Sequence, residues 1–584
     1  MPKSGKPSIE EIRHSLAHVL AIAVLKKFPD AKLGIGPAID DGFYYDFLLP
    51  RPLKEDELPE LQKSMVKIIK EELPFKGKEI SVSEAKEMFK GQQFKQELIE
   101  EFSKEGKTLT AYDTGGVFID LCKGGHVTNT RQIPHDAFTL TKIAGAYWRG
   151  DEKNAQLQRI YGLAFETEKE LEKYEKMLEE AKKRDHKRLG VKLDLFTFSP
   201  LVGAGLPLWT PRGTFIRNEL DNFVCALRKE AGYMQVDIPH ITKKELYETS
   251  GHWDKFKDEL FKITTREGHL FAMKPMNCPH HTQIYARKQH SYREMPRRYA
   301  NTTKVYRDEQ TGELAGLSRV RAITQDDAHV FCRHTQVKEE IGKIWNIIEK
   351  FYKAVGFNLR IRLSLYDPEH PEKYLGTPDI WRRSEKELRT LIKERDVKST
   401  EAIGEAAFYG PKIDFMASDS LGREWQVATI QLDMNMPDRF DLTCINEKGE
   451  KERIVMIHAA IMGSIERYLA ILIEHFAGAF PLWLSPIQVV VIPVGEAHQG
   501  YAWGINEDLR LADIQSELDD SNETLAKRVR SAETQKIPYI VVVGEKEMHA
   551  NTLSVRKRGK GNLGTQTLKN FLGTLKGEIA SKML

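Results

Sequence analysis

Apolar residues at Ile12, Leu16, Val19, Leu20, Ala23 and Val24 recur at three- and four-residue intervals, which predicts a helix with one buried face. Ser8, three residues before Glu11, supplies a capping box at its start. The pattern then changes to Gly34-Ile-Gly-Pro37 and Gly42-Phe-Tyr-Tyr-Asp-Phe47, which suits strands joined by tight turns. Together these segments predict an α+β module over residues 1–152. Between Thr167 and Leu189 charged residues dominate and only Leu171, Tyr174 and Leu178 form a thin apolar stripe. With Thr167 and Glu170 as a second capping box, this predicts an exposed linker helix within residues 153–190. Mixed helical and strand patterns rich in arginine and aromatics fill residues 191–484. The apolar runs Gln488-Val-Val-Val-Ile-Pro493 and Tyr539-Ile-Val-Val-Val-Gly544 then predict buried parallel strands in a small α/β domain over residues 485–584.

A length of 584 residues fits about three to five such domains. Lys plus Arg number 88 against 85 Asp plus Glu, a net +3, so any nucleic-acid surface must be a local patch rather than a bulk polycation. The cysteines, at 122, 225, 278, 332 and 444, are scattered and odd in number, which excludes a disulfide framework. The basic start Met1–Lys6 is followed by charged residues and by an apolar run, Val19–Leu25, too short for a signal peptide. His475–Gly495 has the length of a membrane span but contains Pro481, Pro486 and Pro493, and reads as a helix end, a loop and a core strand. These features predict a cytoplasmic protein with no membrane partner.

Four sets of residues carry candidate chemistry. Cys278 stands beside His280 and His281, while His329 and His458 lie in Gln325-Asp-Asp-Ala-His-Val330 and Met456-Ile-His458. Three such donors suit a zinc ion with one open coordination position, and ordinary core histidines suit the same spacing. Arg297–Glu309, the polar loop Gln310–Gly316 and Leu317–Thr324 read as a hairpin with guanidiniums at both strand ends, built either to clamp phosphates or to pair with surface carboxylates. Gly463-Ser-Ile-Glu-Arg467 leads into an apolar helix with one arginine near its start. His14/His18 and Cys122/His126 are two pairs at four-residue spacing, a pattern open to zinc. Neither a Walker loop nor a Rossmann fingerprint occurs in a strand-to-helix context.

In this order, Phe215–Pro239, Val305-Tyr-Arg-Asp-Glu309 and Gly463-Ser-Ile-Glu-Arg467 resemble the three signature motifs of class II aminoacyl-tRNA synthetases. Lys274-Pro-Met-Asn-Cys-Pro279, Thr324-Gln-Asp-Asp-Ala-His329, Phe408-Tyr-Gly-Pro-Lys-Ile-Asp-Phe415, Arg423-Glu-Trp-Gln426 and Met456-Ile-His458 are similar to the bacterial threonyl-tRNA synthetases. The resemblance runs from His14 to the end of the chain. It implies an antiparallel-sheet catalytic core at 191–484, an N-terminal α+β editing domain and a C-terminal α/β anticodon-binding domain. A small N-terminal domain of ubiquitin-like fold, carried by many relatives, is expected to be absent.

By that resemblance Cys278, His329 and His458 hold one zinc per subunit. Asp327 accepts the threonine hydroxyl proton, and Met276, Gln325, Tyr409 and Gln431 line the amino-acid pocket. Arg307 takes the α-phosphate, Glu309 the adenine, and Arg319 and Arg467 the outer phosphates, with Gln426 a further ATP contact and magnesium accompanying the nucleotide. Lys412 is an active-site contact and His252 stands near the tRNA terminus. His14, His18, Asp120, Cys122 and His126, with Tyr45 beside them, resemble a metal-free site that hydrolyses seryl-tRNA, whereas related alanyl editing domains bind zinc with a similar set. Asn522, Glu547 and Arg556 match anticodon contacts. The implied partners are tRNA(Thr), ATP, L-threonine and a second copy of the chain.

Departures from the pattern are Gly125 where proline is commoner, His280 where a small or apolar residue is commoner, and Lys536 where arginine is usual. His280 thereby becomes a competing zinc ligand. A prolyl or seryl enzyme is disfavoured by the combined Cys278, His329 and His458 set. A silent tRNA-binding paralogue is disfavoured by the intact Arg307, Glu309 and Arg467.

Overall fold

The computed structural model describes residues 6–151 and 153–582. The first five residues of the basic start, Glu152 at the close of the first module, and Met583 and Leu584 lie outside the described residues. The chain forms two compact units, one ending at Glu179 and one beginning at Glu180.

In the first unit, Ser8 caps the helix Ile9–Lys27, and the Glu11 carboxylate accepts from the Ser8 amide in return. The one-faced helix read from the sequence is corrected here. Residues from Ile12 to Val24 other than His14 are buried on every side, between an antiparallel sheet, the helix Leu58–Lys70 and the strand Phe118–Leu121. Ser15, Ala17 and Ala21 are small enough to let neighbours approach the side opposite that face. The buried Arg13 Nε donates to the Ala164 carbonyl at 3.0 Å. The sheet pairs Gly42–Leu48 with Gln156–Ala164, and Gln156–Ala164 with Phe138–Tyr147. The expected linker therefore starts too early at 153, because residues 156–164 are a central strand. The helix Glu168–Arg184 follows it, and His186–Lys192 is a separate helix capped by Asp185. A second sheet, Phe75–Ile80, Leu109–Thr114 and Phe118–Leu121, carries Asp120 on its last strand.

The second unit is built on an eight-stranded sheet in the order Met234–Gln235, Arg297–Tyr306, Ala322–Cys332, Val455–Ser464, Glu424–Asp433, Lys412–Ser418, Leu359–Leu365 and Ser399–Ile403. All neighbours are antiparallel except the two edge pairs. Val337–Ala354 and Ile465–His475 cover one face with apolar side chains. The helix Pro211–Glu230 leads to the edge strand Met234–Gln235. Between Gln325 and Asp327 the partner strand bulges, and the Asp326 carboxylate accepts the freed amides of Ile461 and Met462 at 2.9 and 3.0 Å. Further along the chain, Val489–Pro493 is buried at every position, as a parallel strand between two others must be, and pairs in parallel with Ser516–Leu518 and Tyr539–Val543. Leu553–Lys557 and Gly561–Gln566 extend that sheet antiparallel.

Candidate functional site

Sheet register assembles the first site. Tyr299 lies opposite His329, His329 opposite His458, His458 opposite Gln431, and Gln431 opposite Lys412. Directly opposed residues project from the same face, so five strands contribute one row of side chains. Asp327 and Gln325 follow His329 at two-residue steps on that face.

Cys278 enters from the first turn of the helix Cys278–Ala286, and its sulfur lies with His329 and His458 such that all three donor atoms fall within 4.8 Å of one another. All three residues are buried. His458 Nε2 is 2.9 Å from Asp433 Oδ2, which assigns the proton to Nε2 and leaves the Nδ1 lone pair facing His329 Nε2 at 3.1 Å. Two lone pairs and a thiol converge here, with a carboxylate behind one imidazole, and that donor set fits zinc. Burial pushes the Cys278 thiol well up, so a cation has to displace its proton on binding. His280 is corrected as a competing ligand: its buried ring finds no hydrogen-bond partner, and it is His281 whose Nδ1 sits 2.7 Å from His329 Nδ1. His252, expected at a tRNA terminus, is fully buried with Nε2 3.4 Å from the Cys278 sulfur.

Around the donors, Asn277 Nδ2 donates to Asp327 Oδ2 at 3.0 Å. The Tyr409 ring stacks on His458 at 4.5 Å, its hydroxyl bonds Gln431, and Met276 packs on the same apolar cluster. Lys412 Nζ is 3.1 Å from Asp414 Oδ2. Gln426 donates from its amide nitrogen to Asp414 at 2.8 Å and accepts on its oxygen from Arg362 at 3.1 Å.

The arginine hairpin is real, with register from Arg297 opposite Phe331 to Tyr306 opposite Ala322. Its loop is longer than read, since the return strand begins only at Ala322, and Arg307 and Arg319 both lie in that loop. The Arg307 guanidinium lies over the Phe256 ring at 5.1 Å, and Arg319 is paired with Glu309 and Glu313. Arg467 Nε donates to the Ser318 carbonyl at 3.0 Å. Desolvation, then the like charges of Arg307 and Arg319, lower the Arg467 pKa. Three guanidiniums held this close attract a polyanion.

The second site lies wholly in the first unit, on a cavity of about 970 Å³ lined by His14, His18, Lys95, Asp120 and Cys122. The donor atoms of His14, His18, Cys122 and His126 fall within 4.8 Å of one another. Cys122 Sγ is 3.3 Å from His14 Nε2 and 3.1 Å from His126 Nε2, and accepts the Gly124 amide at 3.3 Å. Ser15 Oγ accepts the Val127 amide at 3.0 Å and lies 3.3 Å from His126 Nδ1. Burial raises the Cys122 thiol to about 11, so it is neutral. Asp120 accepts from the Tyr45 hydroxyl at 2.6 Å and is ion-paired with the buried Lys95. The sequence reading missed Lys95; its signal is a lysine four residues before Ile99, on the face that Phe94 and Ile99 bury. Gly125 has φ +81, a conformation closed to the proline usual there.

Burial lowers the pKa of His14, His18 and His126 below the ordinary 6.5. Folded, they stay neutral where the unfolded chain takes up protons, so their contribution is complete above the unfolded pKa and is lost as pH falls below it. The expected result is a melting temperature that drops between about pH 7 and pH 5, with a smaller drop in His18→Asn, measured by calorimetry of the whole chain.

Asn522 and Glu547 stand beyond the carboxyl ends of parallel strands of the C-terminal sheet, where open α/β sheets bind ligands. Arg556 is not with them: it lies opposite Ile540, toward the other end, 3.6 Å from Glu533. Glu547 accepts the Gly544 amide as a helix cap. Lys536 has φ +62, and its carbonyl accepts from Arg558.

Residues 261–476 match the family profile described as "tRNA synthetase class II core domain (G, H, P, S and T)". Residues 488–578 match "Anticodon binding domain", and 109–161 match "Threonyl and Alanyl tRNA synthetase second additional domain". The chain is 47% identical over 573 residues to a Porphyromonas gingivalis protein named Threonine--tRNA ligase, covering 97% of this chain and 87% of that one. A protein of the same name from Thermus thermophilus is 46% identical over 576 residues, covering 96% and 87%. A solved RNA-binding domain of threonyl-tRNA synthetase from Cryptosporidium parvum superposes with a TM-score of 0.65 at 34% identity, covering 67% of this chain and 98% of that one.

Proposed function

We propose how two sites divide the work in this chain, which belongs to the bacterial threonyl-tRNA synthetase family. The function is that of a threonine:tRNA ligase, a class II aminoacyl-tRNA synthetase. Threonine and ATP form threonyl-adenylate and pyrophosphate, and the threonyl group then passes to the 3′ end of tRNA(Thr). In the core, Arg307 takes the α-phosphate as the threonine carboxylate attacks it, while Arg319 and Arg467 hold the departing pyrophosphate oxygens. ATP enters with its magnesium, and adenine takes up Glu309 when Arg319 turns to phosphate. Asp327, steadied by Asn277, accepts the threonine hydroxyl, beside Gln325, Met276, Tyr409 and Gln431. Lys412 contributes a cation at the end of the row, and His252, buried behind Cys278, bears on the tRNA terminus only through the wall of the site.

The observation that carries this reading is the meeting of Cys278, His329 and His458, all buried and with their donor atoms within 4.8 Å of one another. A zinc ion held by Cys278, His329 and His458 would supply Lewis-acid coordination for the amine and hydroxyl of threonine together. Valine lacks that oxygen and is rejected by polarity. Serine lacks only a methyl, worth about 1–3 kcal/mol, too little for accurate translation. The second site supplies the missing check: neutral Cys122, His14, His18 and His126 orient a water against the ester of seryl-tRNA, with Asp120 held by Tyr45 and Lys95. The metal-free form of that site is favoured because Cys122 Sγ already receives the Gly124 amide.

Zinc analysis combined with pyrophosphate exchange tests both halves. One zinc per chain, none in Cys278→Ala, and exchange driven strongly by threonine, weakly by serine and not by valine or proline are expected. Two zinc ions, one surviving in Cys278→Ala, would place metal in the editing site. No exchange with threonine would sink the ligase assignment.

Asn522 and Glu547 read the anticodon in this proposal, and Arg556, toward the other end of the sheet, is left out of that contact. The helix Pro211–Glu230 and edge strand Met234–Gln235 form the homodimer contact, which sedimentation equilibrium reads directly. Five free cysteines suit a cytoplasmic enzyme. Among the described residues, no helix is long and apolar enough to cross a membrane.

A further inference from the structure

His186 opens the short helix that follows the charged helix Glu168–Arg184, and its ring is 4% exposed. Its Nδ1 lies 2.7 Å, and its backbone nitrogen 3.1 Å, from the same oxygen of Glu474. A carboxylate only accepts, so the imidazole proton sits on Nδ1 and Nε2 keeps a lone pair. That lone pair accepts the backbone N–H of Leu317 at 3.1 Å. Gly316, just before, has φ +57, and a Cβ there would stand 2.4 Å from His186 Nε2, so the loop closes directly on the ring.

Leu317 begins the return limb of the arginine loop. The next residue, Ser318, offers its carbonyl to Arg467, and Arg319 follows, paired with Glu309. On the other side, Glu474 is at the end of the helix Ile465–His475 that carries Arg467, and its second oxygen takes Arg423, which in turn holds Asp419 at 2.7 Å. Asp185, His186 and Glu474 have the composition of a cation site, but Nε2 and both Glu474 oxygens already have partners, so the cluster is a clasp.

We propose that His186 is a positioning residue for ATP: its lone pair fixes the Leu317 amide, and with it the setting of Ser318 and Arg319 relative to the helix that carries Arg467. The proposal rests on reading Arg307, Arg319 and Arg467 as the triphosphate contacts. It extends the site to a residue that touches no substrate and lies far from the three motifs in sequence.

Two variants separate the halves of the imidazole. His186→Asn keeps a donor toward Glu474 and loses the acceptor, whereas His186→Gln places an amide oxygen near the Nε2 position. In threonine-dependent pyrophosphate exchange on the full zinc-loaded chain, His186→Asn is expected to raise the ATP KM about tenfold, the loss of one hydrogen bond, with the threonine KM changed by less than about twofold. His186→Gln is expected to stay within about threefold of the parent for ATP. Asn and Gln variants that behave alike, or a threonine KM that rises in step with that for ATP, would overturn the proposal. Should His186→Asn fail to fold, Gly316→Ala displaces the Leu317 amide from the same ring and is expected to give the same ATP-selective rise; a threonine-selective rise would count against the clasp. Arg319→Ala serves as reference. If it leaves the ATP KM unchanged, the triphosphate reading itself falls and the clasp's role in ATP binding falls with it. If it raises the ATP KM while His186→Asn does not, only the clasp is wrong.

Discussion

Arg307→Ala is expected to lower threonine-dependent pyrophosphate exchange by about 10²–10³-fold, the scale of removing one preorganised charge-stabilising donor from a transition state. The guanidinium lies over the Phe256 ring and makes no ion pair among the described residues, so truncation leaves no buried carboxylate behind. The melting temperature should therefore stay near that of the parent. Arg307→Lys keeps the charge but not the fork, and should recover only part of the loss. Exchange unchanged in Arg307→Ala would remove this residue from the adenylation step.

The second large effect is expected in the other unit. Cys122→Ala and His126→Ala should slow deacylation of seryl-tRNA(Thr) by about 10²–10⁴-fold, the range for positioned acid–base groups, while threonine exchange is untouched. Ser-tRNA should then accumulate in aminoacylation mixtures supplied with serine. Asp120→Ala is the poorer probe. It would leave Lys95 charged, buried and unpaired, a loss of about 3–5 kcal/mol that confounds catalysis with folding. Unchanged deacylation in both Cys122→Ala and His126→Ala would overturn the editing assignment.

What the sequence made legible follows from how local each signal is. The capping boxes at Ser8 and Thr167 need only their own residues and were readable. So were the buried strands Val489–Pro493 and Tyr539–Val543, because a strand covered on both faces is apolar without interruption. The strand Gln156–Ala164 was lost to the linker because it alternates with Gln, Arg and Tyr and adjoins a charged segment. The full burial of the first helix depends on small residues that periodicity counts as neutral.

The catalytic row was beyond any local signal. Its members belong to five strands and meet through register alone, so chemistry-bearing residues stood out while their company did not. Family resemblance supplied the set Cys278, His329 and His458, but it could not show that His281 is the neighbour that approaches His329. The clasp at His186 was equally hidden, since a histidine in a run of charges looks like solvent-facing surface.

The row across five strands also bears on how the enzyme comes into being. A one-residue slip in any of those strands would turn its contribution to the opposite face, so Tyr299, His329, His458, Gln431 and Lys412 share one face only when every pairing is correct. A cation held by Cys278, His329 and His458 would then need both the pairing of the two histidine strands and the helix Cys278–Ala286 in place. A nascent or partly unfolded chain cannot acquire a fraction of the activity by folding a fraction of the domain.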